Sequence, residues 1–279
     1  MEIAILLSAY NSSKYIKEQI LSIQEQTYPK WKLYIRNDGS SDDTANIIKK
    51  FSLEDKRIVV INSNNIGVIK SFMWLLENTK ANYYMFCDHD DVWLPNKIEM
   101  TLGAMKEAER SSQQPIIACT NLMLVDSKLQ IIAKSYRVHK HYTLNMYNSK
   151  LYHLFYNNIP GCTMMINNAA KKVALPYPSN IIMHDAWIAQ STLWNQGKVI
   201  FIDKPLMLYR QHSNNAIGAP KNRSLFKQLT MIGTLMQKTK QQYVSTKGLC
   251  NMPYSIFVIL KIYFLLKEHL SNIINIHKK

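Results

Sequence analysis

The first hundred residues alternate between two kinds of hydrophobic pattern. Ile3 to Ala9 is a continuous apolar run, which suits a strand buried on both faces of a parallel sheet. Asn11-Ser12-Ser13 then offers an N-cap, and Ile16, Ile20, Leu21 and Ile23 form the inward face of a helix from about Lys14 to Glu25. Trp31 to Arg36 reads as the second strand, a helix with Ile47, Ile48 and Phe51 inward follows, and Ile58 to Ile61 reads as the third strand. A loop over 62–67, a helix from Val68 to Asn78 and a strand ending at Asp88 complete a βαβαβαβ series. Such a series predicts a mostly parallel sheet with right-handed crossovers, and ligands in such sheets bind beyond the carboxyl ends of the strands. The polar clusters Tyr10-Asn11, Asp38-Gly39-Ser40, Asn64-Asn65 and Asp88-His89-Asp90 all fall at those ends.

Lys97 to Arg110 reads as another helix, closed by Ser-Ser-Gln-Gln-Pro. The stretch from Ile116 to Arg210 is mixed, with strands expected near Ile116 to Leu124, Cys162 to Asn167 and Lys198 to Ile202, and a helix starting near His184. From Ser224 the pattern is helical without turn-rich breaks. The expected organisation is therefore an α/β domain over 1–220, with halves 1–110 and 111–220, and a helical extension over 221–279.

Composition narrows the class. Hydrophobic residues at 47% and charged residues at 19% fit a globular protein. The formal charge of +15 predicts attraction to something polyanionic: a nucleic acid, an anionic leaflet or a phosphorylated substrate. Lys greatly outnumbers Arg, and neither zinc-finger spacing nor an Arg-rich arm occurs, which argues against nucleic acid. Cys87, Cys119, Cys162 and Cys250 lie far apart with no C-x-x-C spacing, as expected of buried thiols in a reducing cytosol. The opening apolar run lacks a basic flank and a cleavage site, so it reads as a first strand rather than a signal peptide.

The densest chemistry is Phe86-Cys87-Asp88-His89-Asp90-Asp91-Val92-Trp93. Three carboxylates crowded at a strand end raise one another's pKa. A hard divalent cation such as Mg²⁺ or Mn²⁺ removes that penalty and can in turn grip a diphosphate. The plainer alternative is a solvated acidic turn. Asp38 could accept a hydrogen bond from a nucleobase N–H, while Asp42 or Asp43 caps the next helix. In Ile182-Met183-His184-Asp185-Ala186-Trp187, a carboxylate at a helix start is suited to general-base work, with helix capping as its alternative, and Trp187 could stack on a sugar. In the loop from Tyr209 to Gly218, Arg210 could hold a diphosphate oxygen, and His212 could be a metal ligand or a phosphate donor.

The opening Ser8-Ala9-Tyr10-Asn11, the Asn37-Asp38-Gly39-Ser40-Ser41-Asp42-Asp43-Thr44 segment, the acidic stretch running into Leu94-Pro95-x-Lys97, and the His184-Asp185 pair together resemble family 2 glycosyltransferases of the GT-A fold. Within that family the chain looks most like the bacterial rhamnosyltransferase-like group that builds capsule, O-antigen or cell-wall rhamnan. The resemblance covers roughly residues 1 to 220. It implies that Ser8, Tyr10 and Asp38 line a nucleoside pocket, with Asn65 and Lys70 at its rim. Asp88 and Asp90 would serve the ribose and the metal, Asp91 and Trp93 would face the sugar, and Asp185 would be the base. His184 and Trp187 would meet the acceptor or the sugar. The implied partners are a nucleotide-diphosphate sugar and a lipid-linked glycan.

Residues Pro253 to Lys267 are apolar and aromatic but interrupted by Lys261, and too short to span a bilayer unaided. A helix lying in the interface of an anionic membrane, with its lysines toward the headgroups, is one reading. A lid on the core or a homodimer contact is the other. The first places the protein peripherally on the inner face of the cell membrane.

Overall fold

A computed structural model describes residues 3–110, 113–212 and 232–276. Strands β1 (Ile3–Ala9), β2 (Trp31–Asp38), β3 (Ile58–Ser63) and β4 (Tyr83–Cys87) alternate with helices α1 (Ile16–Gln24), α2 (Thr44–Glu54) and α3 (Val68–Asn78). A two-residue strand β5 (Val92–Trp93) and helix α4 (Lys97–Glu109) follow. The second half contributes β6 (Ile116–Val125), β7 (Ile131–Ala133), the short helices α5 (Tyr136–His139), α6 (Leu144–Tyr147) and α7 (Lys150–His153), then β8 (Met164–Asn167). Helices α8 (Asn168–Ala174) and α9 (His184–Trp194) lead to β9 (Lys198–Arg210).

One sheet runs through both halves in the order β3-β2-β1-β4-β8-β6-β9-β5, with β7 on β6. β3, β2, β1 and β4 are mutually parallel, whereas β8 is antiparallel to both β4 and β6. The alternation of side chains along β1 explains the layering. Ile3, Ile5 and Leu7 face a core shared with Ile16 and Ile20 of α1, Ile48 of α2 and Ile98 of α4. Ala4 and Leu6 face the opposite core with Phe72 and Leu76 of α3 and Trp187 and Ile188 of α9. Each fully buried Ile or Leu contributes roughly 1.5–3 kcal/mol, so β1 is fixed from both sides.

Element boundaries differ from the sequence reading where polar residues continue a strand. β9 runs to Arg210 through Asp203-Lys204-Pro205, beyond the expected end near Ile202. A register shift against β6 absorbs the irregularity, with Asn121 opposite Pro205 and Asn121 Nδ2 donating to Asp203 Oδ1 at 2.9 Å. Helix α1 starts at Ile16 after Tyr15 with no side-chain cap, and Leu21 is exposed rather than inward. Asp42 does serve the start of α2, accepting from the Thr44 N–H at 3.0 Å. Burial would raise its carboxyl, but hydrogen bonds from Ser13 and Thr44 outweigh that and hold it at about 2.

Two further helices, Ile232–Thr246 and Tyr254–Ile276, pack through a separate small cluster, where Phe257 and Cys250 meet Leu154 and Phe155. Among the described residues no helix is long and apolar enough to cross a membrane. Lys261 corrects the expectation that the lysine of the last helix points to headgroups. It is buried, donates to Gln242 Oε1 at 2.5 Å, and has its pKa pushed down to about 8 by burial.

Candidate active site

The expected ligand-binding end of the sheet lies beyond the carboxyl ends of the paired strands β1 and β4, the point at which crossovers change from the α1–α2 face to the α3 face. Ser8, near the end of β1, is buried and donates to Ser71 Oγ of α3 at 2.7 Å. Tyr10, just past the strand, is 48% exposed and free to lie against a ligand. Asp38 at the end of β2 is buried and already engaged. It pairs with Arg36 and accepts from the Ile66 and Gly67 amides at 3.1 and 2.9 Å. Its carboxylate thus ties the loop before α3 to β2. Gly39 has a positive φ of 76° and stands so close to that loop that a Cβ would lie 2.9 Å from Asn65 N. Asn65 and Lys70 are both exposed along the same rim.

Four carboxylates gather beyond β4. Asp88 is half-buried, and Asp90, Asp91 and Asp185 are buried. Burial first, then the charges of Asp90 and Asp185, push the Asp88 carboxyl up to about 7. Asp91 is fully buried and its carboxyl is also driven up, by burial and then by Asp90 and Asp88. Its Oδ1 accepts from the Arg210 N–H at 3.0 Å, and its Oδ2 has no hydrogen-bond partner among the described residues. Ligand atoms of Asp88, Asp91 and Cys162 lie within 4.8 Å of one another. Burial keeps the Cys162 thiol far above its usual pKa, so it stays protonated, and a neutral thiol is a poor ligand for a hard cation. Two carboxyls held up by burial and then by neighbouring negative charge, together with an orphaned carboxylate oxygen, describe a site short of positive charge. Its oxygen-rich donor set fits Mg²⁺ or Mn²⁺.

Asp90 meets His212, whose Nε2 is 2.8 Å from Asp90 Oδ2 and whose ring stacks on Tyr15 at 5.0 Å. Two expected ligands 122 residues apart in sequence are therefore in contact. Residues 213–218 of the expected polar loop lie outside the described residues.

Asp185 opens the first turn of α9 and is bound to the turn before β8. Its Oδ2 accepts from Gly161 N–H at 2.9 Å, and its Oδ1 from Ala186 N–H at 2.7 Å. A Cβ on Gly161 would stand 2.7 Å from His184 Nε2, so only glycine lets α9 start so close to the acidic cluster.

Several expected contacts differ. Trp93 is 2% exposed and packs in the core with the Lys97 ammonium 4.9 Å from its ring centroid. Trp187 is likewise a core residue, its Nε1 donating to Ala174 O at 2.9 Å. Neither presents a face to a sugar, because both sit on elements whose inner side closes the core. Asp91 lies beneath the loop rather than above it. His184 is buried, stacks on Phe72 at 4.2 Å, and burial lowers its pKa. Arg210 is buried too. Its Nε donates to Asp90 O at 2.8 Å, its Nη1 to Ser127 O at 2.9 Å, and its Nη2 pairs with Glu18 of α1. The guanidinium therefore grips the acidic loop itself instead of reaching out to a diphosphate.

The sequence reading missed Glu18 and gave Lys97 no role. Lys97 is fully buried, its pKa is lowered to about 8 chiefly by burial, and the neighbouring Asp91 charge opposes that shift. It supplies positive charge below the carboxylates. The Leu94-Pro95-x-Lys97 spacing was its only signal.

Residues 4–174 match the family model for glycosyl transferase family 2. The chain belongs to that family. It is a glycosyltransferase, and its fold is GT-A. An uncharacterised glycosyltransferase of Rickettsia typhi is 26% identical over 254 residues, spanning 88% of this chain and 75% of the relative. The dTDP-rhamnosyl transferase RfbG of Shigella flexneri is 28% identical over 228 residues, 76% of this chain and 74% of that protein. Among solved structures, S. aureus TarS 1-349 in complex with UDP-GlcNAc superposes with a TM-score of 0.66 at 15% identity, covering 97% of this chain and 73% of TarS. The mannosyltransferase PcManGT from Pyrobaculum calidifontis, in complex with GDP-Man and Mn²⁺, gives 0.57 at 12% identity, covering 95% and 80%.

Proposed function

We propose that this glycosyltransferase is a metal-dependent, inverting enzyme of bacterial surface-glycan synthesis. It would move L-rhamnose from dTDP-L-rhamnose to a hydroxyl of a lipid-linked glycan at the inner face of the cell membrane. The observation that carries the reading is the meeting of Asp88, Asp90 and Asp185 at one strand end, a donor-side and an acceptor-side carboxylate set within range of each other's charge. The similarity to RfbG favours the rhamnosyl donor.

In this reading Tyr10, Asn65 and Lys70 border the nucleoside and its phosphates, with Asp38 and Ser8 beneath. Asp90, His212 and Asp88 would hold Mg²⁺ or Mn²⁺, whose charge would offset that developing on the diphosphate leaving group. Asp185 takes the proton from the acceptor hydroxyl as its oxygen attacks the anomeric carbon from the face opposite the leaving group. The Gly161 and Ala186 amides hold the carboxylate in place for that transfer. Arg210 positions the Asp90 loop.

A UDP-hexose donor is the alternative, favoured by the likeness to TarS with UDP-GlcNAc. A silent sugar-nucleotide-binding subunit is disfavoured, since the donor-side and base carboxylates are all present. The test is nucleotide release from dTDP- and UDP-sugars with Mg²⁺ or Mn²⁺. Release from dTDP-L-rhamnose above all others supports the proposal; preference for a UDP-sugar overturns the donor assignment. Release from none of them, by folded protein with metal, overturns catalysis.

A further inference from the structure

The last helix is turned inside out relative to its composition. From Tyr254 to Leu266 its one charged residue, Lys261, is buried against Gln242, while Ile256, Ile259, Ile262, Tyr263 and Leu266 are 47–64% exposed. Phe257 and Lys261, four residues apart, face inward, and Ile256, Ile259, Tyr263 and Leu266 recur at helical spacing on the outer side. A soluble surface rarely leaves such a stripe uncovered. The surrounding chain carries the charge. After Asp203 the sequence holds twelve of the 34 lysines and arginines and a single acidic residue, Glu268. Lys238, Lys240 and Lys247, in and just after the preceding helix, are exposed.

We infer that this stripe is a docking face for an anionic lipid bilayer, with Ile256, Ile259, Tyr263 and Leu266 entering the interface and the exposed lysines meeting headgroups. Charge complementarity selects this occupant. A second copy of the chain would bring an equally basic neighbourhood to the contact, whereas an anionic leaflet is attracted by it. The helix lies on the bilayer rather than through it, consistent with no helix among the described residues being long and apolar enough to cross. The inference extends the lipid-linked acceptor reading but depends on a different surface from the carboxylates.

The test is co-sedimentation of the full chain with phosphatidylcholine vesicles with and without phosphatidylglycerol. Binding should require the anionic lipid and weaken as salt is added. Ile259→Asp with Tyr263→Asp should lower binding by about tenfold or more while nucleotide release in solution stays unchanged. Ile259→Trp, which keeps the stripe apolar, should show a blue-shifted emission with anionic vesicles. Wild-type protein that ignores anionic vesicles at low salt, or an Ile259→Trp spectrum indifferent to them, overturns the inference. So does a wild-type dimer in solution that the double variant converts to monomer without any change in vesicle binding. Vesicle binding by a protein that releases no nucleotide would sink the catalytic reading and leave this one standing.

Discussion

His212 Nε2 lies 2.8 Å from Asp90 Oδ2, so the end of the last strand and the loop after β4 present one shared pair of donor atoms. If that pair binds the cation, Asp90→Ala should abolish transfer while the thermal unfolding curve stays near wild type. Chelation by EDTA should reproduce the loss, and Mn²⁺ or Mg²⁺ should restore it. Full turnover in verified metal-free buffer is the result that counts against this.

Asp185→Asn keeps the shape of the side chain and one of the two hydrogen bonds it accepts, from Gly161 or from Ala186, but removes the proton acceptor. Turnover should fall on the order of 10²-fold or more, with donor affinity little changed by isothermal titration. Wild-type turnover in this variant would assign the base elsewhere and leave Asp185 a helix-start residue.

In the proposed reading, Arg210 and Glu18 act on the reaction through the Asp90 loop that they hold. Arg210→Lys removes the fork that reaches Asp90 O, Ser127 O and Glu18 together. We expect a loss of roughly 10- to 100-fold in turnover, together with a higher Mn²⁺ concentration for half-activation. Glu18→Gln, at the exposed end of the pair, should move the Mn²⁺ requirement in the same direction by less. A fall in turnover at unchanged metal requirement would mean that Arg210 acts on the substrate directly.

His153 provides a pH signature away from the carboxylates. It is buried in α7, with Nε2 3.1 Å from Tyr147 O, and burial pushes its pKa down to about 4. The unfolded chain therefore binds more protons than the folded one between about pH 6.5 and 4. The stability held at neutral pH is lost as pH falls through that window, by about 3 kcal/mol at most. Replacing His153 with Gln should flatten the fall in melting temperature between pH 6.5 and 4. An unchanged slope would show that another group governs it.

The sequence was most informative where chemistry and secondary structure coincide. β1 to β4 are apolar runs ending in polar clusters, and those clusters do stand at one end of the sheet. The direction of single side chains was less legible. Trp93 and Trp187 have the composition of sugar platforms, but the inner faces of β5 and α9 turn both into the core. Asp91 differs from Asp90 by one residue and points into the protein instead of toward His212. Arg210 was noticed as a cation, but its role depends on Glu18, 192 residues away, and no local pattern carries that pairing. Lys261 was assigned outward because lysines usually are; only packing against Gln242 reverses it.

β4 is bordered by parallel β1 on one side and antiparallel β8 on the other. Asp88, Asp90 and Asp91 follow its end, and the Gly161 turn that anchors Asp185 feeds the neighbouring strand. In the proposed reading, two recognition tasks thus hang from opposite edges of one strand with few elements in common. On that reading, the segment around β8 and α9 could be exchanged to address a new acceptor while the nucleotide grip along β1 to β4 is kept. Chimeras joined at this seam are the natural route to redirecting the enzyme.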